Sequence, residues 1–232
     1  MKIAVMQPYF FPYMGYFQLI YAVDKFIIYD DVNYINRGWI NRNNVLVNGK
    51  PFLVTLPLKE ASQNKKIREI AVTDDRKAID KLLKTIATNY KRAPYFEPVY
   101  ELVHQIFDHS TKSVAEFNLR QLQSVCRYIE INTKIEDSSV FYNNAHLKGE
   151  DRIVDICVCE SARVYINPIG GVELYHRNLF EEKDIKLFFL KTTMTEYSQF
   201  DNPFIPGLSI IDVLMFNSVD QIKMMLKQFQ LI

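Results

Sequence analysis

KIAVMQPYFFPYMGYFQLIYAVDKFIIYD, residues 2–30, is the stretch on which the fold turns. KIAVM (2–6) is a short continuous apolar run of the kind that makes a buried strand. From Gly15 the spacing changes. Tyr16, Leu19, Ile20 and Val23 recur at helical intervals, so GYFQLIYAV (15–23) predicts a helix. KFIIYD (25–30) returns to strand. Strand, loop, helix and strand in one run make a βαβ unit, with a parallel strand pair and a helix over one face. The connecting QPYFFPY (7–13) is too aromatic for an ordinary loop and too broken by Pro8 and Pro12 for a helix or strand.

Outward from this unit, VLVNGKPFLVTLP (45–57) carries Asn48-Gly49 between two β-prone runs, a strong hairpin signal. Three stretches then show apolar residues at three- and four-residue spacing: 75–90, 94–109 and 113–129. Pro94 suits the start of the second and Pro98 is expected to kink or delay it. Ser113 with Glu116 has capping-box spacing for the third. Alternation resumes with TKIEDSS (133–139), ARVYIN (162–167) and KLFFLK (186–191) as strands, separated by RIVDICVCE (152–160) and ELYHRNLF (173–180) as helices. SIIDVLMF (209–216) and SVDQIKMMLKQF (218–229) read as two closing helices, the second opened by Ser218 with Gln221. The expected architecture is one α/β domain over residues 1–232, with a parallel or mixed sheet, an N-terminal βαβ unit, a hairpin and a helical insertion near 75–130.

Apolar residues make up 48% and charged residues 24%, an ordinary globular mixture that needs no disulfide or metal to fold. A formal charge of +1 argues against a dedicated nucleic-acid binder. Cys126, Cys157 and Cys159 are few and odd in number, which suits a reducing compartment. The four histidines match no zinc spacing, and no metal site is expected. Neither a signal peptide nor an apolar run long enough to span a bilayer is present, so a cytoplasmic protein is expected.

In open parallel sheets, ligands bind outside the carboxyl ends of the strands. That rule selects Gln7–Met14, the segment 30–43 and NPIGG (167–171), and predicts that they share one rim. The second is the densest in chemistry. Asp30 and Asp31 are adjacent carboxylates at a strand end, candidates for general-base work. Arg37 and Arg42 offer forked donors for a diphosphate, Tyr34 and Trp39 offer ring faces, and Asn41 and Asn43 offer donors and acceptors for hydroxyls. In the third segment, Asn167 starts the turn, and Gly170 and Gly171 would precede a helix N-terminus able to hold a phosphate. His176 is a candidate for acid–base work. In the first, Phe10 and Phe11 are expected to wedge the loop into the core. Tyr9, Tyr13 and Tyr16 would line a pocket with their hydroxyls, and Gln7 is the position most expected to touch a ligand.

No phosphate-binding glycine fingerprint, zinc-protease motif or nucleophile elbow is present. The strand, Pro-rich loop and x-Gly-x helix start follow the layout of nucleotidyl-transferring enzymes of the HxGH type, with Tyr13-Met14-Gly15-Tyr16 in the place of that motif. Both histidines would then be tyrosines, which hydrogen-bond phosphate but are neutral near pH 7.

Together QPYFFPYMGYFQLI (7–20), YDDVNYINRGWINRN (29–43), GEDRIVDIC (149–157), YINPIGG (165–171) and FIPGLSIIDVLMFN (204–217) resemble the WbqC-like protein family along the whole chain. The resemblance implies a place in bacterial O-antigen or other surface-polysaccharide synthesis, and transfer of glycine or another acyl group to an amino sugar. It carries over no catalytic mechanism. The expected function is therefore a transferase acting on a nucleotide-linked sugar. The alternatives are nucleotidyl or adenylyl transfer on the HxGH-like layout, and a non-catalytic binding or assembly protein. The cofactor and the oligomeric state are not legible in the sequence.

Overall fold

A computed structural model describes all 232 residues. Its centre is a six-stranded sheet in the order β5-β2-β1-β6-β7-β8. The strands are β1 (Lys2–Met6), β2 (Lys25–Ile28), β5 (Lys134–Glu136), β6 (Val164–Pro168), β7 (Lys186–Thr192) and β8 (Phe229–Leu231). The first five run parallel, and β8 is antiparallel to β7, so the sheet is mixed. The expected βαβ unit is present, with α1 (Met14–Ala22) between β1 and β2 and Met6 opposite Ile28.

Strand alternation sorts the two faces. Ala4, Phe26, Ile28, Ile166 and Leu190 pack on one side, in the core that also takes α1. Ile3, Val5, Ile27, Tyr165, Leu187 and Phe189 pack on the other, beneath α5 (Gly149–Cys159) and α6 (Arg177–Glu181). Right-handed crossovers explain the assignment. The chain moves from β1 through β2 to β5 in one direction with helices on the first face. It then returns across to β6 and on to β7 in the other direction, which puts α5 and α6 on the second.

The hairpin is β3 (Arg42–Val47) with β4 (Lys50–Thr55), and its turn has φ of 50° at Asn48 and 70° at Gly49, the paired positive values of a type I′ turn. Between β4 and β5 run α2 (Arg76–Tyr90), α3 (Phe96–Asp108) and α4 (Val114–Tyr128), whose apolar faces join the core on the α1 side. Pro98 falls in the first turn of α3, where a missing N–H costs nothing, so it does not kink the helix. Ser113 caps α4 by accepting the Glu116 N–H, whereas the Glu116 carboxylate turns to the Lys112 N–H and leaves the box open. α7 (Ile210–Phe216) and α8 (Val219–Met225) follow, and Ser218 with Gln221 closes a full capping box on α8.

Two further expectations need correction. ELYHRNLF is not one helix: a 3₁₀ turn over Ile169–Leu174 gives way to extended backbone at Tyr175 and His176 before α6 begins. The Tyr175 ring packs edge-on against Tyr165 and Phe180, and Glu150 accepts the His176 N–H, which together hold those two residues out of a helix. The last predicted helix also ends early. The Gln18 amide donates to the Met225 and Gln228 carbonyls, and the chain beyond turns into the edge strand β8. No helix is long and apolar enough to cross a membrane.

Candidate functional site

The strand order reverses between β1 and β6, so the crevice outside their carboxyl ends is the topological switch point. Gln7 follows β1 there and Ile169–Leu174 follows β6. Tyr29–Asp31 and Asp137–Ser139 continue from the neighbouring β2 and β5.

The aromatic loop is held by polar atoms as much as by its rings. Asn118 on α4 donates to the Pro8 and Ile40 carbonyls, and Gln121 donates to that of Tyr9. Asn43 donates to the carbonyls of Phe10 and Phe11, and Ser209 also donates to Phe11. Phe10 and Phe11 are fully buried against Phe107 and Phe117, as a wedge should be. Tyr16 is buried too, with its hydroxyl donated to the Gln7 carbonyl at 2.8 Å, so it presents nothing to a ligand. Burial raises the pKa of Tyr9, Tyr13 and Tyr16, keeping all three neutral. Tyr9 and Tyr13 stay half-buried, and Tyr13 lines a narrow pocket of ≈ 30 Å³ with Thr192 and Gln18. Gly15 has a steric role: a Cβ there would lie 2.4 Å from both Thr192 Oγ1 and the Tyr13 ring.

Asp30 and Asp31 are both buried, yet their surroundings differ. Asp30 Oδ1 accepts the Ser138 hydroxyl at 2.7 Å, the Ser139 N–H at 3.2 Å and the Ser139 hydroxyl at 3.4 Å, while Oδ2 accepts nothing from the chain. Burial is the largest influence on Asp30 and raises its pKa, against the lowering effect of the Ser138 and Ser139 bonds. Asp31 Oδ1 accepts from the Ser139 hydroxyl and Oδ2 from Arg152 Nη2. The Arg152 guanidinium donates through Nε to Asn144 at 2.9 Å and stacks 4.9 Å from the centre of the Tyr29 ring. Asn144 in turn donates to Asp155. One network therefore joins the end of β2, the segment after β5 and the first turns of α5.

The remaining predicted residues fall into three groups. Asn167 is at the crevice, buried, bonded to the Tyr165 hydroxyl at 3.2 Å, and so close to Gly171 that a Cβ there would meet its Nδ2 at 2.1 Å. Gly170 and Gly171 lie inside the 3₁₀ turn, not ahead of an α-helix, so the expected helix N-terminus for a phosphate is missing. His176 is largely exposed and pairs with Glu150 at 2.9 Å. Desolvation pushes the Glu150 pKa up, but the His176 N–H and ring outweigh it and the net shift is downward.

The loop after β2 spends most of its polar groups on itself. Tyr34 is buried and donates to Asn41, which donates to the Leu56 carbonyl. Arg42 gives Nε to the Gly38 carbonyl and Nη2 to that of Arg37, and Asn43 is committed to the aromatic loop. Arg37, at φ 60°, and Trp39 are exposed. No three His, Cys, Asp or Glu side chains come together as metal ligands.

A model of the WbqC-like protein family matches residues 7–224. The chain belongs to that family. A relative, the uncharacterised protein Rv1507c of Mycobacterium tuberculosis (strain ATCC 25618 / H37Rv), is 31% identical over 218 residues, covering 92% of each chain. No solved structure matches.

In this WbqC-like protein, residues that sequence reasoning did not single out build the network around Asp30 and Asp31: Arg152, Asn144, Ser138 and Ser139. A usable signal existed for Arg152. It lies in the first turns of a helix that follows a parallel strand, and such a helix starts on the carboxyl-end rim.

Proposed function

We propose that this protein is a transferase acting on a nucleotide-activated amino sugar in surface-polysaccharide synthesis, by acyl or aminoacyl transfer to the sugar amine. The observation that carries the reading is Asp30: a buried carboxylate at the switch-point rim with one oxygen bonded by Ser138 and Ser139 and the other free. In the reaction the amine nitrogen attacks the carbonyl carbon of an activated acyl donor. The C–N bond forms, the bond to the leaving group breaks, and the nitrogen's proton passes to Asp30 Oδ2. Asp31 is a positioning residue that holds the Arg152 guanidinium at the crevice. The exposed Arg37 is the guanidinium group for the diphosphate, since Arg42 is engaged by loop carbonyls and Arg152 by Asp31 and Asn144. Gln7, whose side-chain amide makes no bond within the chain, faces the sugar. Nucleotidyl transfer finds no support in Tyr16, whose hydroxyl is spent on the Gln7 carbonyl.

Thermal melts with a panel of nucleotide-linked sugars and amino sugars test the reading. A ligand at a hundred times its dissociation constant stabilises by about 2.7 kcal/mol. Asp30→Asn is expected to keep that stabilisation and to lose about 10²–10⁴-fold in turnover, the range of general-base effects. The wild-type rate should rise with pH through a midpoint above the ordinary carboxylate range, because burial raises the Asp30 pKa. Absence of stabilisation by any nucleotide-linked sugar, or wild-type turnover by Asp30→Asn, would overturn it.

A further inference from the structure

The antiparallel pair α3 and α4 encloses a groove of ≈ 450 Å³ away from the crevice. Arg120 and Arg127 line it from α4, with Gln123 on the same face, and Gln105 and His109 line it from α3. The spacing puts each set along one helix face. No carboxylate lines the groove. The chain's arginine ion pairs are Arg76 with Asp108 and Arg152 with Asp31, so neither groove arginine is neutralised. Of the acids nearby, Glu101 on α3 and Asp137 after β5 accept the Gln105 and Gln123 amides, Asp108 at the end of α3 pairs with Arg76, and Glu130 after α4 pairs with Lys223.

The second observation is Arg120 Nη1, which is sealed from solvent and has no hydrogen-bond partner. A buried charged donor left without an acceptor is costly, so a turn of the Arg120 side chain that brings its fork to a carboxylate or phosphate oxygen in the groove is favoured. The groove is of a size that suits a small molecule. Tyr128 adds a half-buried ring at its edge.

We infer that the α3–α4 groove binds a phosphorylated small molecule, with its phosphate oxygens on Arg120 and Arg127 and its organic part along Tyr128. The site is separate from the crevice and does not depend on the transferase reading. Arg120 lies between Asn118 and Gln121, whose amides hold the carbonyls of Pro8, Tyr9 and Ile40, so the groove adjoins the helix turn that carries the rim loops.

Calorimetric titration of the full chain with sodium pyrophosphate, at fixed ionic strength, tests it in wild type, Arg120→Gln, Arg127→Gln and Arg163→Gln. Wild type is expected to bind. Arg120→Gln should weaken binding by about tenfold or more, since a charge-assisted donor is lost. Arg127→Gln should weaken it less, and substitution of the exposed Arg163, Arg163→Gln, should leave it unchanged. No binding by wild type overturns the proposal, as does wild-type affinity in both groove variants. A loss of binding in Arg163→Gln as large as that in Arg120→Gln also overturns it, by showing that pyrophosphate answers to overall charge and not to the groove. If the melting curve shows that Arg120→Gln does not fold, the exposed Arg127 decides, with unchanged affinity in Arg127→Gln overturning the proposal.

Discussion

Asp31 and Asp212 are both buried carboxylates, and the chain satisfies them in opposite ways. Asp31 has a full positive charge against it, from Arg152, and a single hydroxyl from Ser139. Asp212 has no cation. Tyr90 donates to its Oδ1, and Tyr197 and Gln199 donate to its Oδ2, each at 2.7 Å. The Tyr90 hydroxyl also accepts the Leu46 N–H, so this network ties α7 to α2, β3 and the segment around Tyr197. Both Asp212 oxygens are spent inside the protein. Beside Asp31, by contrast, the neighbouring Asp30 keeps one oxygen free at a strand end. Buried charge alone therefore does not mark a site. Unspent hydrogen-bonding capacity at the carboxyl ends of parallel strands is what singles out Asp30 as the candidate.

The largest expected effect breaks the first network. Arg152→Met leaves the Asp31 charge buried with only Ser139 to answer it, a loss of about 3–5 kcal/mol in urea unfolding. The double substitution of Asp31→Leu with Arg152→Met removes both charges and should recover most of that loss. A single variant as stable as wild type would mean that water, and not Arg152, balances Asp31. A smaller loss is expected in the second network. Tyr197→Phe removes one of three donors to Asp212 and should cost about 1–3 kcal/mol.

The pH dependence sharpens the contrast. Burial is the main influence on Asp212 and raises its pKa, although Tyr197, Tyr90 and Gln199 act to lower it. The folded chain then binds the proton more tightly than the unfolded chain. The contribution of Asp212 to stability is fully present below its unfolded pKa and is lost as pH rises through the raised folded value. The stability difference between wild type and Asp212→Asn should fall over that window. A difference that rises with pH would show that the carboxylate, not the acid, is the form the fold prefers.

The two networks also show what a sequence discloses. The βαβ unit was legible because apolar continuity in KIAVM and three- and four-residue spacing after Gly15 are local patterns. The type I′ turn at Asn48-Gly49 and the Ser218 capping box were legible for the same reason. Residues that act through distant partners left no such trace. Arg152 meets Asp31 across 121 positions. Asn118 and Gln121 sit on an amphipathic helix, where polar residues suggest a solvated face, yet both are fully buried and bonded to loop carbonyls. The edge strand β8 is three residues long and was absorbed into the helix before it. In the segment 30–43, residue types suited to a nucleotide were visible. That Tyr34, Asn41, Arg42 and Asn43 bond within the chain depends on the path of the loop, which composition does not encode.

Trp39 remains as the ring of that loop which is open to a ligand, being 45% exposed. Its backbone carbonyl accepts the Phe10 N–H, a bond that any side chain at this position would preserve. Trp39→Ala should therefore change stability by no more than about 0.5 kcal/mol, as exposed substitutions usually do. If the ring stacks on the base or sugar of the proposed substrate, the same substitution weakens binding by about 0.5–1.5 kcal/mol, the worth of an aromatic pair beyond its burial. Unfolding curves and ligand titrations on this one variant separate the two effects. A fall in stability with unchanged affinity would assign Trp39 to the scaffold that holds the aromatic loop. A fall in affinity with unchanged stability would extend the crevice from the Asp30 carboxylate to the tip of the loop after β2.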